Sequence, residues 1–185
     1  MTLVVLIGAS GSGKTTIARA VAARCGEAAA VFHFDSIGVP PVEDMIRQHG
    51  SGEAWQRAKT IEWMRKLAGE TEAGLPMLFE GQTRFSFLAD GAAAAGGLDY
   101  EPILVDCDDD TRSSRLRFER KQPELDNADM TNWARYLRLR ARYGGHLVLD
   151  TSALSLPESI DRVMARLQSS SCSSRSRWTT VTRRR

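Results

Sequence analysis

Five short apolar runs recur along the chain, and between them apolar residues fall at helical spacing. Leu3 to Ile7, Val31 to Phe34, Leu75 to Phe79, Pro102 to Val105 and Leu147 to Leu149 are too short for buried helices and lack strict alternation. That is the pattern of strands covered on both faces. Pro76 has no N–H to give a ladder, so it belongs at a strand's first residue or on an edge. Helical composition follows at Thr16 to Cys25, and twice between Val42 and Glu70, where Gly50-Ser51-Gly52 parts the two segments. Phe85 to Ala95 reads as a helix stopped by Gly96-Gly97, and Pro123 divides Thr111 to Arg142 into two more. In the second of these, Met130, Ala134, Leu137 and Ala141 form a stripe, with Arg135, Arg138 and Arg142 on a different face. The last helix carries Pro157 in its first turn and repeats the spacing with Ile160, Val163, Met164 and Leu167. Strands alternating with helices predict a three-layer α/β/α domain around a five-stranded parallel sheet.

Composition refines this outline in three places. The 185 residues suit one domain, and 42% hydrophobic content is enough for a core. No apolar run approaches the roughly 18 residues of a membrane span, and Met1 opens no signal peptide, so a cytoplasmic protein is expected. Cys25, Cys107 and Cys172 are widely spaced and read as reduced thiols. The net charge is +2, but five arginines and no acid lie between Ser169 and Arg185, leaving 20 bases against 23 acids, or −3, on the rest. Residues 169–185 are expected to be a disordered Ser/Arg-rich tail, read as a non-functional extension in preference to a contact with nucleic acid or an acidic surface.

The chemistry is announced at Gly8 to Thr15, GASGSGKT, between the first apolar run and the first helix. This is the context a GxxxxGK[ST] loop requires. Gly8, Gly11 and Gly13 let the backbone curl close to a ligand. The N–H groups of Ala9, Ser10, Ser12 and Thr16 complete an anion nest at a helix N-terminus. Lys14 is expected over the β and γ phosphates of ATP, and the Thr15 hydroxyl on Mg²⁺. Ligands in such sheets bind at the carboxyl ends of strands, which makes Asp35, Glu80, Asp106 and Asp150 candidates as well. His33, inside a strand, reads as a packed core histidine. Trp55 and Trp63 suit either core packing or a pocket wall.

Glu80-Gly81-Gln82-Thr83-Arg84 resembles the acid-Gly-x-x-Arg segment of nucleoside monophosphate kinases and their small-molecule kinase relatives. The resemblance implies a P-loop fold of strand order 2-3-1-4-5 with a short helical lid. It makes Glu80 a metal-site residue and Arg84 an acceptor-binding one, against the reading of Arg84 as a solvated loop cation. Gln82 and Thr83 stand where nucleotide kinases usually have Phe-Pro, which counts against a nucleotide acceptor. The Phe34-Asp35-Ser36 context resembles shikimate and gluconate kinases and implies that Asp35 meets the acceptor hydroxyl; a loop cap before Pro40 is the competing account. The arginine-rich segment resembles the lid of the same superfamily, over about residues 115–138. Arg115, Arg117, Arg120 and Arg138 would contact phosphate, since guanidinium binds phosphate bidentately and keeps its charge. Paired with Glu119, Glu124 and Asp126, the same residues would form only a charged face.

The expectation is an ATP-dependent kinase using Mg²⁺, acting as a monomer or homodimer. Residues 36–74 would form the acceptor pocket, with a polar or anionic small molecule as partner. A nucleotide-binding ATPase or a regulatory ATP-binding protein is the alternative.

Overall fold

The computed structural model describes residues 3–71 and 74–173. Its elements are β1 (Leu3–Ile7), α1 (Lys14–Cys25), β2 (Ala30–His33), α2 (Val42–His49), α3 (Gly52–Glu70), β3 (Met77–Gly81), α4 (Phe85–Ala94), β4 (Tyr100–Asp106), α5 (Asp109–Ser114), α6 (Ala128–Tyr143), β5 (Leu147–Asp150) and α7 (Leu156–Ser173). All strands are parallel, in the order β2-β3-β1-β4-β5. The glycine loop therefore leaves the central strand, whose five residues are all buried.

Side chains alternate across the sheet, and this divides the core into two layers. Val4, Leu6, Leu78, Ile103, Val105 and Leu149 face α1 and α7, meeting Ile17, Val21, Val163 and Leu167. Leu3, Val5, Ile7, Met77, Phe79 and Leu104 face the opposite side, where α3, α4 and α6 supply Trp55, Trp63, Met64, Leu67, Leu88 and Leu137. Trp55 and Trp63 are thus core residues. Trp63 packs 5.2 Å from the ring of Phe79 and donates its indole N–H to the Phe34 carbonyl at 3.3 Å.

Local chemistry accounts for the element ends. Ser51 caps α3 by accepting from the Ala54 N–H at 3.0 Å, and Asn127 caps α6 by accepting from Met130 at 2.9 Å. β3 starts at Met77 and not at Leu75, because Pro76 offers only its carbonyl, which accepts from the Ala30 N–H at 2.9 Å. β4 extends back to Tyr100 and contains Pro102; its pairing with β5 begins only at Ile103. The helix α7 runs to Ser173, five residues into the segment expected to be disordered. The remainder of that tail, 174–185, lies outside the described residues.

Between α5 and α6 the chain makes one wide turn at Arg115–Glu119, in which the Arg120 N–H reaches back five residues to the Arg115 carbonyl at 2.9 Å. This π-type turn holds one residue more than an α-helical turn. Phe118 is left 75% exposed on it.

The packing of α3 on α4 depends on Gly91, where an added Cβ would stand 2.6 Å from Met64 Cγ and 2.9 Å from Met64 Cβ. Met64 is fully enclosed and has nowhere to move. Gly91→Val should therefore lower stability by about 1–3 kcal/mol. Urea unfolding should record a lower midpoint at unchanged slope.

Candidate active site

The loop from Gly8 to Thr15 is held close against the sheet. A Cβ on Gly8 would lie 2.2 Å from the Val105 carbonyl and 2.7 Å from Ser12 Oγ, so only glycine fits. Gly11 and Gly13 adopt φ of 80° and 96°, the left-handed region. Gly13 is also the N-cap of α1, which is why that helix starts at Lys14, earlier than composition suggests. Ser12 Oγ is buried without a hydrogen-bond partner.

Lys14 is 8% exposed, and its ammonium donates to the Ala9 carbonyl at 3.0 Å. Burial lowers its pKa to about 8; Arg120 adds to the effect, while Glu80 and Asp35 oppose it. Glu80, the last residue but one of β3, is 5% exposed, and its Oε1 accepts from the Thr15 hydroxyl at 3.2 Å and from His33 Nδ1 at 2.8 Å. The Asp35 carboxyl, just past β2, is pushed up by partial burial and then by Glu80, while Lys14, Arg120 and His33 pull it down. These groups form one electrostatic unit at the N-terminus of α1.

On the far side of the loop lies a cleft of about 430 Å³, lined by Gly11, Gly13, Lys14, Thr15, Thr16, Ile17 and Arg19 from the loop and α1. Arg115, Glu119 and Arg120 line it from the π-type turn, and Thr151, Leu154, Leu156 and Ser159 from the end of β5 onward. Arg115 donates to Thr151 Oγ1 at 2.8 Å and to the Thr151 carbonyl at 3.0 Å. Thr151 Oγ1 also contacts the Ser12 and Asp106 carbonyls at 2.9 and 3.1 Å, joining loop, sheet and turn.

Not every candidate from the sequence gathers here. Arg138 donates to Asp106 Oδ2 at 2.6 Å and to the Cys107 carbonyl at 3.2 Å, and Arg117 is paired with Asp126. Asp106 also receives Arg112, which is 3% exposed, at 3.2 Å. This acid is therefore an anchor for arginines on α5 and α6. Its register explains why: Asp106 shares the face of Leu104, towards α6, whereas Glu80 shares the face of Leu78, towards α1. Arg84 is no solvated loop cation. Its guanidinium lies 5.0 Å from the rings of both Trp133 and Tyr136 and donates to Glu53 Oε2 at 2.9 Å. Ser10 Oγ donates to Gln82 Oε1 at 3.1 Å, tying the loop to the segment after β3. Asp150 accepts from the Ser152 N–H at 2.9 Å and only shapes its own turn.

Two contributions were not anticipated. Arg19 follows Thr15 by one helical turn and so shares its side of α1. His33 faces Glu80; the alternation Val31-Phe32-His33-Phe34, with Phe34 in the core opposite α1, carried that signal.

A central strand feeding a glycine loop and helix, with a buried lysine and a strand-end acid beneath it, defines a P-loop fold of the kinase type. The chain belongs to the AAA domain family, whose sequence profile matches residues 4–134. A comparison with curated proteins finds no match. Among solved structures, a sugar kinase from Janibacter sp. HTCC2649 superposes with a TM-score of 0.63 at 20% identity, over 89% of this chain and 93% of that one. A gluconokinase from Sinorhizobium meliloti 1021 gives 0.61 at 17% identity, covering 95% and 97%. A shikimate kinase from Bacteroides thetaiotaomicron gives 0.59 at 17%, covering 90% and 98%. At these identities the likeness is one of fold. Among the described residues, no helix is long and apolar enough to cross a membrane.

At pH 7 Lys14 is charged in both the folded and the unfolded chain, and burial makes that charge costly only in the folded one. Lys14→Met should therefore be more stable than the ligand-free wild type at pH 7, by on the order of 2 kcal/mol. Because the folded pKa of about 8 lies below the ordinary 10.5, the unfolded chain binds the proton more tightly between those values. Wild-type stability should thus rise relative to the variant as pH climbs through this window. Urea unfolding at pH 7 and pH 10 checks both statements.

Proposed function

We propose that this protein is an ATP-dependent phosphotransferase that moves the γ-phosphoryl group to a hydroxyl of a small molecule, with Mg²⁺. The observation that carries this reading is the joining of Lys14, Thr15, Glu80, Asp35 and Arg120 into one electrostatic unit beside a cleft. The cleft fits a nucleotide, with the loop's N–H groups for phosphates and Leu154, Leu156 and Ile17 as an apolar wall. The hydroxyl of Thr15 and the carboxylate of Glu80 are hard oxygen donors that suit Mg²⁺ and its waters. When bound, Mg²⁺ would neutralise charge on the β and γ phosphates.

Lys14 would hold the transferred group, and incoming phosphate would keep its ammonium charged. Asp35 would orient the acceptor hydroxyl and take its proton, a role suited by a raised pKa. Arg115 and Arg120 would neutralise phosphate from the lid side. For Arg117 and Arg138 to join them, their pairs with Asp126 and Asp106 must first open. Arg84, set beside the rings of Trp133 and Tyr136 and paired with Glu53, would help to shape an acceptor pocket between α3 and α6. The alternative is a nucleotide-binding ATPase or a regulatory ATP-binding protein that transfers phosphate to no small-molecule acceptor.

A panel of small polyols, hydroxy acids and nucleosides, assayed by ADP release, separates the two. A kinase releases ADP faster with one acceptor class, whereas an ATPase is indifferent to all. With the true acceptor, Lys14→Ala should abolish turnover. Asp35→Asn should lower kcat by about 10²–10⁴-fold with ATP affinity unchanged. Truncation after Ser173 should leave the rate intact.

A further inference from the structure

Glu80 is held more firmly than a metal-site acid at a strand end has to be, and one of its partners has no part in the transfer described above. His33 and Glu80 are register partners in the parallel pairing of β2 with β3. Both side chains consequently leave the same face of the sheet, towards the start of α1. His33 Nδ1 lies 2.8 Å from Glu80 Oε1, and the Thr15 hydroxyl lies 3.2 Å from that same oxygen. A carboxylate oxygen can only accept, so both neighbours donate. Among the described residues, no protein donor bonds Oε2. A core histidine would have its polar edge enclosed, but the His33 side chain is 33% exposed against 7% for Glu80.

We propose that His33 is a positioning residue for the Glu80 carboxylate. Its Nδ1–H and the Thr15 hydroxyl converge on Oε1, prevent rotation about the terminal bond, and present Oε2 to the water shell of a divalent cation. The inference rests on the reading of Glu80 as a metal-site acid. The imidazole does this with its hydrogen on Nδ1, the tautomer that a carboxylate partner selects. Thr15 gives its hydrogen to Oε1, so its oxygen lone pairs stay directed at the cation. A glutamate alone must give up side-chain freedom to adopt one geometry; two donors on one oxygen remove that freedom before any ligand arrives. Its backbone is already fixed, since Glu80 is paired with Leu6 of β1 on one side and His33 of β2 on the other.

The test uses the full chain with ATP, and Mn²⁺ as the probe, its bound fraction read by electron paramagnetic resonance. His33→Leu should weaken Mn²⁺ retention by about 10-fold or more, within the range for outer partners of metal ligands. His33→Asn, whose amide N–H falls near the place of Nδ1–H, should recover most of that loss. ATP affinity without metal should be the same in both His33 variants as in wild type. Retention in His33→Leu equal to wild type, or no recovery in His33→Asn, overturns the proposal. Glu80→Gln separates the two levels: if it loses Mn²⁺ while His33→Leu does not, only the role of His33 falls. If Glu80→Gln also retains Mn²⁺, the metal-site reading falls with it. A readout that needs no change at His33 comes from the ¹⁵N shifts of the three histidines, assigned with His49→Gln and His146→Gln. Nδ1 of His33 should be protonated, and a proton-free Nδ1 overturns the proposal.

Discussion

Lys14 carries its ammonium into a place from which water is almost wholly excluded, held there by one carbonyl of its own loop and by the field of Glu80 and Asp35. That compensation is incomplete, as the fall of its pKa to about 8 records. The surrounding structure is arranged around supplying what is missing. Glycines bring N–H groups to the same point, the start of α1 contributes its dipole, and the cleft beside it is open to an anion. A phosphate entering there would complete a set of interactions that the protein alone leaves unfinished, so binding strength and the ligand-free chain's reduced stability would share one origin.

The sheet decides which acids take part. The two strands that flank β1 carry Glu80 and Asp106 at their carboxyl ends, yet the two side chains leave opposite faces. Glu80 meets Thr15 and His33 at the start of α1, while Asp106 receives Arg112 and Arg138 in the layer of α6. Asp106 still matters to the site through its carbonyl, which bonds both the backbone N–H and the hydroxyl of Thr151. One acid thus faces the glycine loop and α1, and the other anchors the arginines of α5 and α6.

Much of this was legible in the sequence because it is local. Glycines at fixed spacing and apolar runs of strand length act within a few residues, and the strand order followed from the resemblance they support. What stayed hidden depends on pairing between distant segments. Nothing near Arg138 in the chain announces Asp106, 32 residues earlier, and nothing near Arg84 announces the rings of Trp133 and Tyr136. Arg115 and Arg120 face the cleft while Arg117 turns to Asp126, a division that composition cannot express. His33 was accessible in principle, but alternation identifies a face and not an occupant, and only the β2–β3 register sets Glu80 opposite it.

The wide turn at Arg115–Glu119 gives the segment between α5 and α6 a property of phase. An α-helix advances about 100° per residue, so the extra residue rotates everything that follows by about that amount. With it, Arg115 at the beginning and Glu119 and Arg120 at the end all reach one cleft, while Phe118 is turned out to solvent. If the turn tightened to α geometry, the Arg120 N–H would leave the Arg115 carbonyl for that of Leu116, and Arg120 would swing away from Lys14. The angular register of one helix, set by a single surplus residue, is thus a coordinate along which this site can be assembled or taken apart.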